Sequence, residues 1–462
     1  MHSICALATG QGGAIAVIRV SGDDAINITD RIFSKSIQNA PTQTLHYGHI
    51  VTPQGETVDE VLVSVFRAPH SYTGENATEI SCHASPYIIS RIQQLLIDGG
   101  CQMAEPGEYT KRAFLNGRMD LSQAEAVADL IAARSAATHR IALSQMRGGF
   151  SQKLRNLRER LLKLTSLMEL ELDFSEHEDL EFADRSELLQ LIHEIQDEIR
   201  PLIESFQYGN AIKNGLPVAI VGCPNAGKST LLNALLQEEK AIVSNVRGTT
   251  RDAIEDCITL RGVTFRFIDT AGLRETTDEV EQIGIERSYA KLTESSIVLW
   301  LVPAEETIED YAAMLPGMLE HAIGKHLIII LSKSDLTDDI ASRTAHLRSL
   351  IPSHTQVTPL FLSLSGKTEE GITELQSQLL SIAHAQNADD ANIIITNQRH
   401  YAALKEALTD INQVEYGMSM DLPTDLLSED LRACLRAIGS IIGEVTSQEV
   451  LNNIFSHFCI GK

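Results

Sequence analysis

Apolar and polar positions change their spacing several times along this chain, and each change indicates a different kind of element. Between residues 61 and 65 valine recurs at every second position, as in a half-buried strand. The apolar run at 14–20 predicts another strand. Residues 86–99 predict an amphipathic helix that starts at a proline and ends at a pair of glycines. The first 118 residues therefore predict a small α+β domain.

A helical spacing of three and four residues begins after residue 118. The pair Ser122 and Glu125 predicts a capping box at the first helix. Leucine and methionine between 154 and 168 form one apolar stripe, and residues 427–445 form a second stripe of the same kind. Both stripes are typical of helices packed in a core.

Two short stretches, 208–217 and 385–390, predict linkers on either side of a different sequence pattern. Neither helical part alone makes a convincing domain, so we expect one helical domain interrupted by an insertion, which a surface loop tolerates. The predicted fold is α/β and multidomain. Its four parts are the α+β domain at 1–118, the first helical part at 119–213, the inserted domain at 214–380 and the second helical part at 381–462.

The inserted part opens with a strand, a glycine-rich loop and a helix, in that order. Apolar residues 217–221 precede the loop 222–229, whose sequence Gly-Cys-Pro-Asn-Ala-Gly-Lys-Ser fits the GxxxxGK[ST] pattern. Glycine lets backbone N–H groups close on phosphate oxygens, and the helix N-terminus adds a positive dipole end. Lys228 can reach the outer phosphates of a nucleotide, and Ser229 can bind Mg²⁺.

Further segments follow in the order that a GTPase needs. A strand predicted at 264–268 leads to Asp269, which can hold the Mg²⁺ shell, and to Gly272, whose N–H can meet the γ-phosphate. Thr250 lies between the phosphate loop and this strand. It is the candidate second protein ligand of Mg²⁺.

The base is predicted to be guanine. A buried strand at 326–331 leads to Ser332, Lys333 and Asp335, and an aspartate there can accept both N1–H and N2–H of guanine, which adenine lacks. The usual motif is Asn-Lys-x-Asp. Serine in place of asparagine has a shorter reach, which predicts weaker binding, whereas the aspartate keeps the selectivity. The run Ser-Gly-Lys at 365–367 resembles the Ser-Ala-Lys loop that supports the base.

The catalytic machinery differs from that of many GTPases. Leu273 follows Asp-Thr-Ala-Gly where a water-orienting glutamine is common, and no arginine finger can be named in the sequence. Asn225 can ligate a monovalent cation beside the phosphates, which would stabilise transition-state charge. Glu281 is a candidate for positioning the water. From its spacing alone, a solvated carboxylate on a switch helix is the stronger interpretation.

Charge and cysteine usage narrow the class of protein. A formal net charge of −24 argues against a protein that grips nucleic acid alone, and the acidic run at 169–181 is typical of a solvated face. The seven cysteines are scattered singly, as expected of small buried hydrophobes in a reducing cytoplasm. The sequence has neither a membrane-length apolar run nor a signal-peptide pattern, so we expect no membrane span and a cytoplasmic protein. The sequence nevertheless leaves room for a local basic patch at Lys153, Arg155, Arg158, Arg160 and Lys163.

Several longer motifs make the chain similar to one family. The phosphate loop, Gly-Thr-Thr-Arg-Asp at 248–252, the leucine after Asp-Thr-Ala-Gly and Phe-Cys-Ile-Gly-Lys at 458–462 resemble those of the MnmE (TrmE) tRNA-modification GTPases. Arg-Ala-Phe-Leu-Asn-Gly at 112–117 agrees, and the resemblance covers essentially the whole chain. It implies an α/β multidomain fold in which a Ras-like P-loop GTPase domain is inserted into a discontinuous helical domain. An N-terminal α+β domain that binds folate and dimerises would precede it.

The resemblance implies a folate site. 5-Formyltetrahydrofolate, or a related tetrahydrofolate, would contact Arg19, Glu79, Arg118 and Lys462. Position 118 is lysine in some relatives, and arginine keeps the charge. Cys459 matches a cysteine that is tied to modification in the family.

The resemblance also implies the roles of residues around the nucleotide. Glu281 matches the family's water-orienting glutamate, and Glu281, Lys228 and Asn225 would act in catalysis. Ser229 and Thr250 would hold Mg²⁺. The potassium ligands would be Asn225, Ser244, Val246 through its backbone, and Thr249. The residues that would contact GTP are Asn225, Ala226, Gly227, Lys228, Ser229, Thr230, Ser244, Asn245, Val246, Arg247, Gly248, Thr249, Thr250, Asp269, Thr270, Ala271, Gly272, Ser332, Lys333, Asp335, Ser365, Gly366 and Lys367.

The function that the resemblance implies is a potassium-activated GTPase. Its cycle of GTP-dependent pairing within a homodimer would drive modification of a tRNA wobble uridine at carbon 5. A folate would supply a one-carbon unit, and a flavoprotein of the MnmG (GidA) family would be the partner, its basic surface accommodating the tRNA. Two alternatives stay open at this point: an Era-type ribosome-assembly GTPase, which would need a basic RNA-binding module, and a signalling switch without further chemistry.

Overall fold

The computed structural model contains two compact units. The first comprises Met1–Ala132, Ala142–Arg200 and Ala402–Lys462, and the second comprises Ala133–Ile141 and Pro201–Tyr401. The described residues are 2–10, 12–133, 135–174, 185–223, 225–238, 256–261, 263–268, 295–305, 307, 311–312, 314–352, 355–385, 393–420, 422–456 and 458–461.

The strands form two sheets of six. In the first sheet the order is β3-β4-β5-β2-β1-β6, and in the second it is β12-β11-β10-β7-β9-β8. The strands predicted at 14–20, 61–65, 217–221, 264–268 and 326–331 are all confirmed. The strand bounds are β1 Ile4–Leu7, β2 Ile15–Ser21, β3 Thr44–Val51, β4 Thr57–Phe66, β5 Ala77–His83, β6 Gln102–Met103, β7 Leu216–Val221, β8 Asp256–Leu260, β9 Val263–Ile268, β10 Ile297–Pro303, β11 His326–Ser332 and β12 Leu360–Leu364.

Helices accompany both sheets in the described chain. None of the described helices is long and apolar enough to cross a membrane. The helix bounds are α1 Ala25–Ile32, α2 Pro86–Asp98, α3 Glu108–Leu115, α4 Leu121–Ala132, α5 Ala136–Met146, α6 Gly149–Phe174, α7 Arg185–Asn214, α8 Lys228–Glu238, α9 Leu315–His321, α10 Ile340–Ser349, α11 Ile372–Ala385, α12 Gln398–Ser419, α13 Thr424–Ile442 and α14 Gln448–Ser456.

The first sheet has one covered and one open face. Neighbouring strands are antiparallel except β1 and β6, which are parallel. Alternate strand residues pack with α1 and α2 into a buried core, as the period of two requires. The opposite face exposes large apolar side chains, namely those of Ile15, Leu45, Tyr47 and Leu62. The predicted helix at 86–99 is confirmed as α2, with proline in its first turn and Gly99 at its end.

The second sheet has the pattern of a P-loop domain. Its strands run parallel except for the antiparallel pair β8–β9. Every residue of β10 is buried, because helices cover both faces of the sheet. Helices α8 and α11 pack on one face, and α9 and α10 pack on the other. The predicted α/β multidomain class with a P-loop domain inserted between helical segments is confirmed, whereas the four predicted domain boundaries stay a prediction.

The start of α4 differs from the prediction. The helix begins at Leu121, so Ser122 lies inside its first turn and the predicted capping box at Ser122 and Glu125 is wrong. Asp120 is the cap: its carboxylate accepts the Gln123 N–H at 3.0 Å, and the Gln123 side chain accepts the Asp120 N–H at 3.0 Å. This is the same reciprocal device two residues earlier, because aspartate and glutamine supply the same acceptors as serine and glutamate.

The predicted linker at 208–217 is also wrong. Helix α7 continues to Asn214, and Gly215 alone, at a φ of +83°, separates it from β7. Gly209 is a packing glycine rather than a turn, since a Cβ there would lie 2.0 Å from the Ile395 carbonyl oxygen. Of the second linker, Ala385 is the last residue of α11, and 386–390 lie outside the described residues.

Both predicted apolar stripes lie in helices. The stripe at 154–168 is buried along α6. The second stripe is buried along α13 as far as Ile441, but Val445 is 47% exposed. The reason is that Gly443, at a φ of +85°, ends the helix before the next turn. The prediction is therefore right for α13 and wrong for Val445.

Candidate nucleotide-binding site

The loop between β7 and α8 has the backbone that a phosphate cradle needs. Asn225 and Gly227 have φ angles of +63° and +92°, in the left-handed region that asparagine and glycine tolerate. Lys228 begins α8 and donates a hydrogen bond from Nζ to the Gly222 carbonyl oxygen at 2.6 Å. Ser229 follows it, exposed in the first turn. Amide groups of this turn point along the helix axis toward the loop, which favours an anion there.

A cavity of about 630 Å³ lies at the carboxyl ends of the parallel strands. This is the edge at which ligands of open α/β sheets bind, and the volume is that of a small-molecule site. It brings together three motifs that are far apart in sequence. The predicted residues that line it are Asn225, Gly227, Lys228, Ser229, Thr230, Ser332, Lys333, Asp335, Ser365, Gly366 and Lys367.

The base end of the cavity is organised around Asp335. The Ser365 hydroxyl donates to Asp335 Oδ1 at 2.7 Å and accepts the N–H groups of Lys367 and Thr368 at 3.3 and 3.2 Å. Ser365 is buried, so these bonds fix the aspartate against its loop. Lys333 is in the left-handed conformation, and its ammonium pairs with Glu305. The second oxygen of an aspartate held in this way is available to the donors of a guanine edge.

Ser332 joins the base end to the phosphate loop. It is the last residue of β11 and is only 3% exposed. Its hydroxyl donates to the Ala226 carbonyl oxygen at 2.7 Å. The sequence indicated only the shorter reach of serine, since nothing in its pattern shows which carbonyl lies within that reach.

The glycine in the Ser-Gly-Lys loop has a steric reason. A Cβ on Gly366 would lie 2.8 Å from Cγ2 of Thr230, which is shorter than real Cβ contacts. The methyl group of Thr230 thus occupies the space that an alanine side chain would need.

A number of the predicted nucleotide, metal and folate residues lie outside the described part of the chain. For these the structure gives no position, so their roles stay predictions. Among the residues that are described, no group of three or more His, Cys, Asp or Glu is placed to hold a metal ion. The residues without a position are Ser244, Asn245, Val246, Arg247, Gly248, Thr249, Thr250, Asp269, Thr270, Ala271, Gly272, Glu281 and Lys462.

A second group of predicted residues meets on the first sheet. Arg19 of β2 lies opposite Glu79 of β5, and its Nε and Nη2 donate to Glu79 Oε1 at 2.9 and 2.8 Å. Its guanidinium also lies over the rings of Tyr72 and Tyr109, 5.4 and 5.6 Å from their centroids, and Nη1 reaches the Gly461 carbonyl oxygen at 3.4 Å. A cavity of about 90 Å³ lies beside this cluster. Burial raises the pKa of both tyrosines, which therefore stay neutral at physiological pH.

The loop at 71–76 borders this cavity and is held by buried polar groups. Arg112, 3% exposed, donates to Glu75, to Glu108 and to the His2 carbonyl oxygen. Arg118 packs against Gly74 of the same loop. The roles of Arg112 and Glu75 were not predicted from the sequence, although the spacing of four residues between Glu108 and Arg112 is typical of a helical ion pair.

Cys459 is exposed, and its carbonyl oxygen accepts the Gly107 N–H at 3.4 Å. Four of the seven cysteines are buried, which confirms the prediction for most of them: Cys5, Cys82, Cys101 and Cys434.

The local basic patch that the sequence left open on α6 is largely neutralised. Arg155 pairs with Asp120 at 2.6 Å and Arg158 with Glu444 at 2.7 Å, while Arg160 pairs with two glutamates of α7. These three arginines therefore offer little net positive charge to a nucleic acid.

Known proteins are similar to this sequence along its whole length. A family model described as the MnmE helical domain matches residues 121–459, and one described as the GTP-binding protein TrmE N-terminus matches residues 3–118. Proteins named tRNA modification GTPase MnmE are 53% identical in Bacteroides thetaiotaomicron and 49% identical in Flavobacterium johnsoniae, over 100% of this chain and 99% of each relative. In Parabacteroides distasonis the identity is 52% over 100% of both chains.

Proposed function

The chain belongs to the MnmE family of tRNA modification GTPases, and from this premise we propose that it hydrolyses GTP to drive the modification of tRNA. The observation that carries the proposal is the cavity that joins the phosphate loop to Asp335 and Ser365. The comparisons do not favour the Era-type alternative.

The residues at the phosphate end fit a magnesium nucleotide. Ser229 is an exposed residue at the start of α8, where its hydroxyl would hold Mg²⁺ together with Thr250. Bound Mg²⁺ would neutralise charge on the phosphates. Lys228 would exchange its bond to the Gly222 carbonyl oxygen for a bond to the outer phosphates, and Asp335 would accept N1–H and N2–H of the base.

Potassium activation is part of the proposal. Asn225 stands in the left-handed conformation at the exposed edge of the loop, where its side-chain oxygen suits a cation beside the phosphates. Ser244, Val246 and Thr249 would complete the site, and Glu281 would position the water. Equal turnover in KCl and NaCl would contradict this part.

A tetrahydrofolate site is proposed at Arg19, Glu79, Arg118 and Lys462. The support is chemical: cations suit a glutamate tail, a carboxylate suits the N–H donors of a pterin, and Tyr72 offers an aromatic face. The cavity of about 90 Å³ is small, so the ligand would extend over the open sheet face. Calorimetry with 5-formyltetrahydrofolate tests the site: Glu79→Gln should weaken binding about tenfold, from the lost charge-assisted hydrogen bonds, and unchanged binding would contradict it.

The proposed partners are a second copy, a flavoprotein of the MnmG (GidA) family and tRNA, in the cytoplasm. The open face with Ile15, Leu45, Tyr47 and Leu62 supports a homodimer through the first sheet, since water leaves such side chains on association. The charge of −24 and the paired arginines of α6 support a partner that supplies the basic surface for tRNA.

Nucleoside mass spectrometry of bulk tRNA tests the proposed function. We expect cells that lack this protein to lose a carbon-5 aminomethyl-type wobble uridine and to regain it with a complementing copy. The control is a copy with Lys228→Ala, which should not restore the nucleoside. An unchanged nucleoside profile in the deletion would contradict the proposal.

A further inference from the structure

The side-chain hydroxyl of Ser332 can donate one hydrogen bond, and the structure shows its acceptor. The hydroxyl donates to the Ala226 carbonyl oxygen at 2.7 Å, inside the protein. That carbonyl belongs to a residue whose side chain is fully buried in the core beneath the phosphate loop, so its position is fixed. The backbone carbonyl of Ser332 is itself held by the Ala304 N–H at 2.7 Å. The buried side chain of Ala226 and the backbone carbonyl of Ser332 thus hold the two partners of this hydrogen bond in place.

This arrangement decides what residue 332 can offer to a base. A serine hydroxyl is one donor, whereas an asparagine amide has two N–H donors. Asparagine in this position is able to hold the phosphate loop and still donate to a base. Serine that is already bonded to the loop is left with lone pairs only.

The edge of guanine that faces residue 332 needs a donor. In the guanine-nucleotide site of the proposed function, Asp335 would take the N1–H and N2–H edge of the base. The ribose and phosphates would extend to the phosphate loop, which Ser332 contacts through Ala226. In this binding mode Ser332 would lie on the side of N7, the ring nitrogen on the edge between O6 and the ribose. N7 is an acceptor without a proton.

We propose that this protein selects guanine without a hydrogen bond from residue 332 to N7, and that Ser332 is a positioning residue that ties the end of β11 to the phosphate loop. The inference rests on the guanine-nucleotide site of the proposed function. It implies that the Watson–Crick edge, read by Asp335, carries the recognition of the base.

A nucleotide with a carbon in place of N7 tests the proposal. Calorimetry in Mg²⁺ with GDP and with 7-deaza-GDP gives two dissociation constants for each variant, and GDP avoids turnover during the titration. For the wild type we expect the two constants to agree within about twofold. For Ser332→Asn we expect 7-deaza-GDP to bind about fivefold more weakly than GDP, the effect of one neutral hydrogen bond.

Ser332→Ala separates positioning from direct contact. It leaves the buried Ala226 carbonyl oxygen without its donor, so both nucleotides should bind about tenfold more weakly, with their ratio still near one. Ser363→Ala, on the neighbouring strand β12 and outside the cavity lining, is the matched control and should change neither constant.

Two results would overturn the inference. One is a wild-type loss of fivefold or more with 7-deaza-GDP, abolished by Ser332→Ala, because it shows that the hydroxyl donates to N7. The other is an unchanged affinity of Ser332→Ala for both nucleotides, because the bond to Ala226 then positions nothing. Failure of the wild type to bind either nucleotide would instead contradict the guanine site itself.

Discussion

At the scale of single residues, the methyl group of Thr230 fills the space beside Gly366 that a larger residue 366 would need. A methyl group on residue 366 would lie 2.8 Å from the threonine Cγ2. We expect Gly366→Ala to weaken GDP binding about tenfold, because the Ser-Gly-Lys loop at 365–367 must shift by several tenths of an ångström. The double variant with Thr230→Ser removes the methyl group and should restore most of the affinity. Calorimetry of the two variants and of Thr230→Ser alone checks this, and a double variant as weak as Gly366→Ala would contradict it.

The conformation of Asn225 allows its side chain to be tested apart from its backbone. Glycine keeps the φ of +63° without strain, whereas alanine does not. If the side chain ligates potassium, Asn225→Gly and Asn225→Ala should both lose about 10–100-fold of the turnover in KCl, with GDP affinity nearly unchanged in the glycine variant. Turnover measured across KCl and NaCl series decides it. A glycine variant with full potassium activation would show that only the backbone matters.

The sequence predicted most residues of the nucleotide cavity, for a physical reason. Phosphate and guanine impose fixed side-chain types at fixed positions after buried strands, so Lys228, Asp335 and Ser365 could be named before the structure. The role of Ser332 could not, because a serine hydroxyl forms whatever bond lies within its short reach. The pairing of Arg155 and Arg158 likewise depends on elements distant in sequence.

At the scale of elements, helices α12 and α13 each carry a carboxyl group whose pKa is raised, Asp410 and Asp430 respectively. Burial first, and then Glu406 and Asp430, raise the pKa of Asp410, and its Oδ2 has no hydrogen-bond partner within the described structure. Burial and Glu429 raise the pKa of Asp430. A raised pKa means that the folded state binds more protons, so the free energy of unfolding falls as pH rises from the ordinary value of 3.8 through the raised one.

Asp410→Asn should therefore stabilise the protein at pH 7 and not in acid. The expected gain is ~0.5 kcal/mol, a small value because the group is partly solvated. Thermal unfolding at pH 7 and near pH 4 checks the sign, since the difference should shrink at the lower pH. Asp425→Asn is the control: it lies in the first turn of α13, where negative charge is favourable, and its loss should not stabilise. A lower midpoint for Asp410→Asn at pH 7 would contradict the prediction.

The predictions of elements failed where side chains with equal chemistry compete. Serine and aspartate both cap helices, so the sequence placed the start of α4 two residues late. Gly209 satisfied the usual signal for a turn, yet it allows α7 to pass close to Ile395. In each case the existence of the helix was predicted correctly, and the error lay in the residue at which the helix begins or ends.

At the scale of the whole molecule, the last described residues return to the first strands. Gly461, at a φ of +91°, packs so closely that a Cβ would lie 2.3 Å from the Leu7 carbonyl oxygen. Periodicity could not have predicted this contact, although the family resemblance placed residue 462 with Arg19. The first sheet is thereby coupled to the segment that follows α14 in the sequence.

Gly461→Ala should detach this segment. We expect a loss of about 1–3 kcal/mol in the stability of the docked segment, from the clash and the left-handed backbone together. Digestion by carboxypeptidase reports the release directly. Gly55→Ala is the matched control, because it has a φ of +86° and open space around it, and it should leave the digestion rate unchanged. Equal digestion of wild type and Gly461→Ala would contradict the prediction.

The hydrogen bond between Arg19 and Gly461 can form only late in the synthesis of the chain. The two residues are 442 positions apart, and at about 5–20 residues per second the ribosome needs roughly 20–90 s to travel from one to the other. During that interval the first sheet can already pair Arg19 with Glu79, but the Gly461 carbonyl oxygen that Arg19 Nη1 contacts does not yet exist. The full set of contacts that Arg19 makes in the folded chain therefore forms only after residue 461 has been synthesised.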